Sequence, residues 1–285
     1  MTPHIALIGG THGNESSGIQ IIRNYRRLGL PDAAQGLNVS LHLANPAAIN
    51  ANVRYVEDDL NRQFTPARLR SNDASQEAVL ARHLNETLGP KGHSDVDLVI
   101  DIHNTTSNMG ATLILLDDDA FNVQLARYVK QQMPQANILL EDEKPYNEHA
   151  YLCTLGKRGV MVEVGAQPQG VLREDILLQA QTMTEIILAF CAMSDKPDLP
   201  PCSAFRLGEN VMYPLDDFGL RSAMIHHELQ DRDFLPLMPG QPVFRSFDGK
   251  DITWWEDTPT YPHFINEAAY HKLDVAFASA SQITL

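Results

Sequence analysis

Apolar and polar positions alternate along this chain in blocks, and the block lengths alone separate strands from helices. His4–Gly9 is a short β-branched run ending in Gly9-Gly10, which predicts a buried strand running out into a loop. Ser16, Ser17 and Gly18 then supply capping residues, and Ile19, Ile22 and Tyr25 follow at helical spacing with basic residues on the opposite side. The alternation repeats. Residues 39–43, 97–102, 111–116 and 159–164 are strand-like, whereas 78–88, 121–133 and 174–193 carry helical periodicity. Strands alternating with helices predict an α/β layer built on a largely parallel sheet.

The texture changes at 195–201, Asp-Lys-Pro-Asp-Leu-Pro-Pro, which neither a helix nor a strand tolerates well. This places a boundary between a domain of residues 1–197 and one of 198–285. Beyond it, the apolar pieces 211–213, 223–225 and 242–244 are separated by Pro and Gly, as expected of a smaller β-rich domain.

Composition narrows the function classes. The chain has 285 residues with 44% hydrophobic and 20% charged positions, an ordinary globular mixture. Its 22 basic against 36 acidic residues give a net charge of -14, a field that repels a phosphate backbone and argues against a nucleic-acid partner. No stretch reads as a bilayer span, and Met1-Thr2-Pro3-His4 lacks a basic leader, so no membrane partner is expected and the location expected is cytoplasmic. Cys153, Cys191 and Cys202 are widely spaced with no CxxC, as reduced thiols would be. GxGxxG after the first strand, GxxxxGK[ST], GxSxG and HExxH are all missing, which sets aside dinucleotide enzymes, P-loop NTPases, ordinary α/β-hydrolases and helical zincins.

What remains is a set of polar residues just past the ends of the predicted strands, where open α/β sheets keep their sites. His12 and Glu15 stand in an HxxE spacing on a glycine-rich turn, and His103 ends the 97–102 strand. Two imidazoles and one carboxylate form a ligand set used by catalytic zinc, with the fourth position open to water. Taken singly, each has an ordinary role: a loop hydrogen bond, a helix cap, a strand-end histidine. Their joint placement beside Gly9-Gly10 favours the metal. Glu163, isolated in the apolar run 159–165, is costly to bury as a charge and so has either a partner or a task, unless it sits at an exposed edge. Beside a zinc-bound water, it can serve as general base and then as acid. In the 52–62 loop, Asn61-Arg62 can clamp a carboxylate while Arg54 faces a reacting carbonyl; a solvated charged loop is the plain alternative.

These segments, with Asp101-Ile102-His103-Asn104, Pro168-Gln169-Gly170-Val171-Leu172-Arg173 and Asn266-Glu267-Ala268-Ala269-Tyr270, resemble the aspartoacylase and aminoacylase-3 family, relatives of zinc carboxypeptidases. The resemblance spans nearly the whole chain. It implies a zinc-carboxypeptidase-like mixed, mainly parallel sheet flanked by helices, with the β-rich C-terminal domain covering the entrance to the site. It further implies one zinc per chain on His12, Glu15 and His103, Glu163 as base and acid, Arg54 polarising the scissile carbonyl, and Asn61, Arg62 and Tyr270 on the substrate carboxylate. Asp59 and Asn104 support that arrangement, Asn104 at the substrate side. The implied activity is deacylation of a small N-acyl-L-amino acid by a chain that can form homo-oligomers, with N-acetyl-L-aspartate first and N-acyl-aromatic or neutral amino acids next. A silent carboxylate-binding module and a carboxypeptidase acting on peptides are the rival classes. One departure bears on selectivity: the arginine that binds the aspartate side chain in aspartoacylases, ten residues before the catalytic glutamate, is matched here by Cys153, with His149 in place of a tyrosine. Lys157 and Arg158 are the nearest cations that can substitute.

Overall fold

The computed structural model describes residues 2–285. The elements run β1 (His4–Gly9), α1 (Ser16–Leu28), β2 (Asn38–Leu43), α2 (Pro46–Ala51), α3 (Pro66–Leu69), α4 (Gln76–Leu88), β3 (Leu98–Asn104), β4 (Gly110–Leu115), α5 (Ala120–Gln132), β5 (Asn137–Leu140), β6 (Arg158–Gly165) and α6 (Glu174–Ala192). The C-terminal part adds β7 (Ser203–Met212), β8 (Ala223–Ile225), β9 (Pro242–Ser246), β10 (Asp251–Thr253) and β11 (Val275–Thr284).

Eight strands form one sheet in the order β11-β7-β5-β4-β6-β3-β1-β2, and β10-β9-β8 form a second, three-stranded sheet. The large sheet is mixed: β4 against β6 and β7 against β11 are antiparallel, and the other pairings are parallel. It also crosses the proline-rich segment, because β7 pairs with β5 at Leu139↔Phe205 and Leu140↔Arg206. The second region is therefore hydrogen-bonded to the first as well as packed on it. Strand β5, four residues long, adds to the strands that the sequence predicts, since so short an apolar run carries no periodicity of its own.

Two cores flank the sheet. On one face Ile21 and Ile22 of α1, Leu125 and Val129 of α5, and Met183 and Ile187 of α6 cover Ile100, Val162 and Leu113. Helix α6, 19 residues long, corrects the expectation that no stretch is long and apolar enough for a bilayer: by length and composition alone it qualifies, with a mean hydropathy of 1.2 over an 18-residue window. Its apolar side is buried against the sheet and α1. On the opposite face Leu84 and Leu88 of α4, Leu60, Phe64 and Leu152 cover Ile8, Val99, Ile114 and Met161. Alternation of side chains along the strands keeps the polar residues of the site on this second face.

Helix α1 begins one residue earlier than the expected serine cap: Glu15 is its N-cap, and no side chain of the turn caps it locally. The orphan N–H of Ser17 is met instead by Asn104 Oδ1 at 2.9 Å, across from β3. The close approach that permits this needs glycine. A Cβ on Gly9 would lie 2.3 Å from the Gly18 carbonyl oxygen, and one on Gly13 only 2.1 Å from the main-chain carbon of Ala48.

Candidate active site

His12 and Glu15 leave the turn between β1 and α1, and His103 points from β3 toward both. His12 Nδ1 is 2.7 Å from Glu15 Oε1, and His103 Nδ1 is 2.8 Å from Glu15 Oε2, all three side chains buried. The outer nitrogens turn away. His12 Nε2 meets Asp59 Oδ1 at 3.0 Å and His103 Nε2 meets Asp101 Oδ2 at 2.9 Å, while Thr11 Oγ1 donates to Asp101 Oδ1 at 2.7 Å. Each imidazole is thus oriented by a carboxylate behind it, which leaves both Nδ1 atoms for the centre. Both Nδ1 atoms converge on the two oxygens of the Glu15 carboxylate. Two ring nitrogens and a carboxylate oxygen, buried and all within 4.8 Å of one another, are a donor set that fits a divalent cation.

The electrostatics agree. Burial alone would lower the His103 pKa, but Asp101 and Glu15 raise it well above the ordinary imidazole value. Burial alone would raise the Glu15 pKa, yet the facing His12 and His103 hold it far below the usual carboxylate range. Positive charge is stabilised at this centre, and a metal ion bound there would take the place of the protons that otherwise supply it.

In the register of β6, Glu163 lies beside His103 and opposite Thr112 of β4, so it shares the site's face of the sheet. It is nine-tenths buried, and its Oε1 has no partner. Desolvation raises its pKa well above the ordinary value and the Glu15 charge adds to that, so the site favours its protonated form. The exposed-edge alternative for Glu163 is excluded, since β6 lies between β3 and β4.

Arg54 donates from Nη1 to Glu15 Oε1 at 3.0 Å and from Nε to Asp59 Oδ2 at 3.2 Å. Asp59 is a hub, since besides His12 and Arg54 it caps the Leu60–Arg62 turn through Asn61 N at 2.9 Å. Asn61 uses its Oδ1 to accept from Leu152 N at 2.8 Å, which orients its Nδ2 as the free donor. Arg62 lies with its guanidinium carbon 5.5 Å from the centre of the Tyr151 ring. Glu163, Arg54, Asn61, Arg62 and Tyr270 all line one cleft with the His–Glu–His cluster. Asn104 also borders it, but its side chain is occupied: Oδ1 accepts from Ser17 N and Gln167 Nε2, and Nδ2 donates to Val164 O. Its main-chain N–H meets Glu15 Oε2 at 3.1 Å, so it braces the metal-ligand candidate rather than reaching toward a substrate.

Three acids that sequence reasoning gave no role complete the setting. Asp101 orients His103; the spacing i, i+2 on a strand puts both on one face, a signal available in the sequence. Glu267 accepts from Thr106 N at 2.7 Å and from the Thr105 and Thr106 hydroxyls, tying the loop after β3 to the segment that carries Tyr270. Glu77 of α4 accepts from the main-chain N–H of Val56, Glu57 and Asp58 and from Asn45 Nδ2, pinning the Arg54–Arg62 loop. Nothing in the local sequence announces Glu77. Cys153 is fully buried and does not reach the cleft. Lys157 and Arg158 are no substitutes for the expected arginine: they sit at the start of β6, far from Glu163 near its end, paired with Asp97 at 2.7 Å and Asp119 at 3.0 Å.

A mixed sheet with a buried two-imidazole, one-carboxylate cluster at the ends of its strands, and a protonatable acid beside it, is the architecture of a metallohydrolase-type centre. The chain belongs to the succinylglutamate desuccinylase/aspartoacylase family: the model of that catalytic domain matches residues 1–191 and that of the AstE/AspA barrel-sandwich hybrid domain matches residues 200–282. It is 41% identical to the aspartoacylase of Xenopus tropicalis over 290 aligned residues, covering 99% of this chain and 93% of the relative. It is 39% identical to the human N-acyl-aromatic-L-amino acid amidohydrolase (carboxylate-forming), covering 98% and 92%. The crystal structure of murine aminoacylase 3 superposes with a TM-score of 0.92 at 36% identity, covering 99% of this chain and 96% of that one.

Proposed function

We propose that this chain is a zinc-dependent amidohydrolase that releases the acyl group from N-acyl-L-amino acids. The observation that carries the reading is Glu163, a buried, unpartnered acid on the same wall as the His12, Glu15 and His103 donors. A pure binding module gains nothing from such a group. Deacylation of N-acyl amino acids is also what the names of the Xenopus and human relatives describe. When bound, zinc polarises the scissile carbonyl and acidifies water.

The chain's own residues supply the rest. Glu163 takes a proton from water as the water oxygen bonds the carbonyl carbon and returns that proton to the nitrogen as the C–N bond breaks, so that the N-acyl amino acid and one water become a carboxylic acid and a free amino acid. Arg54, held by Glu15 and Asp59, faces the carbonyl oxygen as negative charge grows there, a contribution of roughly 3 kcal/mol for one such donor. Arg62, Tyr270 and the free Nδ2 of Asn61 receive the α-carboxylate common to the class. Among substrates the resemblance favours N-acetyl-L-aspartate and then N-acyl-aromatic or neutral amino acids; the charges of the cleft favour the second group.

The test is release of amine from a panel of N-acetyl and N-formyl amino acids by the zinc-loaded protein and by Glu163→Gln. Turnover should fall at least ~10²-fold in the variant while its zinc content is unchanged. Wild-type rates in Glu163→Gln would remove the assigned base.

A further inference from the structure

The cleft extends past the reacting end to an acid that the proposed chemistry does not use. Met161 pairs with Ile114, and Ile114 with Leu139, so these side chains continue the face that carries Glu163. Glu141, two residues beyond Leu139, keeps to that face and forms the far wall of the cleft with Tyr151 and Phe264. Its main chain is anchored by Glu141 N donating to Leu115 O at 2.8 Å. Its Oε2 accepts from the Tyr151 hydroxyl at 3.0 Å, while Oε1 has no hydrogen bond to the described residues.

Among the described residues no cation lies within 4 Å of this carboxyl to form an ion pair with it. The neighbouring Asp142 takes Arg206 at 3.1 Å, and Arg54 is committed to Glu15 and Asp59. Arg62, whose guanidinium lies over the Tyr151 ring and donates to Asn61 O at 2.9 Å, lines the cleft with it. Burial pushes the Glu141 pKa up to about 7, and the Glu143 charge adds to this against the opposing effects of the Tyr151 bond, Arg62 and Lys144. An acid so placed has two ways to settle: to receive a hydrogen bond from whatever enters the cleft, or to be met by another acid at high cost.

We propose that Glu141, presented by Tyr151, reads the substrate's side chain and selects N-acyl-L-amino acids whose side chain is uncharged and donates a hydrogen bond, excluding those with a side-chain carboxylate. This rests on the deacylase reading above and narrows it. An amide N–H or a hydroxyl satisfies Glu141 Oε1, whereas a side-chain carboxylate has only acceptors to offer an acceptor and adds like charge in a buried wall. Discrimination then comes from repulsion of the acid as well as attraction of the donor.

Isosteric pairs isolate the effect: N-acetyl-L-glutamine against N-acetyl-L-glutamate, and N-acetyl-L-asparagine against N-acetyl-L-aspartate, assayed at pH 8.5 with zinc-loaded wild type and Glu141→Gln. In the wild type the amide member of each pair should have the higher kcat/KM by at least about tenfold. In Glu141→Gln, which removes the charge and keeps the shape, that ratio should collapse toward one through the acids improving. Preference for the acid member in the wild type overturns the proposal even if the variant does not fold, and so does an unchanged ratio in a folded variant. Absence of turnover on every N-acyl substrate, neutral or acidic, fells the deacylase reading itself, an outcome separate from turnover with the wrong preference.

Discussion

Replacing Glu77 with glutamine tests whether the loop bearing Arg54, Asp59 and Arg62 is held from behind. Oε1 of Glu77 accepts from Asn45 Nδ2 at 3.1 Å and Val56 N at 2.7 Å, and Oε2 accepts from Glu57 N and Asp58 N, both at 3.1 Å. Glutamine keeps one acceptor oxygen and turns an NH₂ toward the other two donors. Two stranded donors cost about 1 to 3 kcal/mol each if they stay dry, a ceiling of about 6 kcal/mol. Val56 and Glu57 are exposed, so water can reach part of the loop, and the lower end, about 2 kcal/mol, is expected. Urea unfolding should show that loss, and KM should rise several-fold as Arg62 loses its support, with the Asn61 to Leu152 bond limiting the damage. The pH dependence provides an internal check. Burial alone would raise the Glu77 pKa, but the donors of Val56, Asp58, Asn45 and Glu57 hold it below its unfolded value of 4.5. A folded pKa below the unfolded one gives stability that is fully present above the unfolded value and lost as pH falls through the folded one. The gap in unfolding free energy between wild type and variant should therefore be flat from about pH 8 to 6 and close on acidification below 4.5. A variant with wild-type stability at pH 7 and an unchanged KM would refute the argument.

Other substitutions probe the remaining parts of the site. His103→Ala should purify with far less zinc than the wild type by elemental analysis, since one of three donors is gone, and an unchanged content would remove His103 from the set. Arg62→Ala should raise KM by about 10- to 100-fold for every N-acyl amino acid alike, from loss of a charge-assisted bond worth ~1.5 to 3 kcal/mol; an effect confined to one side chain would move the α-carboxylate elsewhere. Glu267→Gln should lower the urea midpoint and weaken substrate binding together, because its carboxylate joins Thr106 to the turn carrying Tyr270. Lowered stability with intact kinetics would make that link purely structural.

Much of the centre is local in the chain and therefore readable there. His12 and Glu15 are three residues apart on one turn, and His103 closes a strand whose period of two puts Asp101 on the same side. The alternation of short apolar runs with helical periods likewise specifies a helix-flanked sheet, because burial demands one repeat for a strand and another for a helix. What surrounds the centre is different in kind. Asn104 caps a helix through Ser17, 87 positions before it, Glu267 binds hydroxyls about 160 positions away, and Glu77 serves a loop some 20 residues upstream. A polar side chain's partner is whatever the sheet order brings opposite it, and that order, with β5 and β7 side by side across the proline-rich segment, is a long-range choice. The same choice leaves Lys157 and Arg158 at the wrong end of β6 and sets Glu141 in the wall of the cleft. Sequence by itself determined the donors and the acid that can do chemistry, since these are residue types at short spacing. Tertiary structure alone decided which charges face the substrate, because in a buried cleft the net field depends on neighbours that meet only once the sheet has formed.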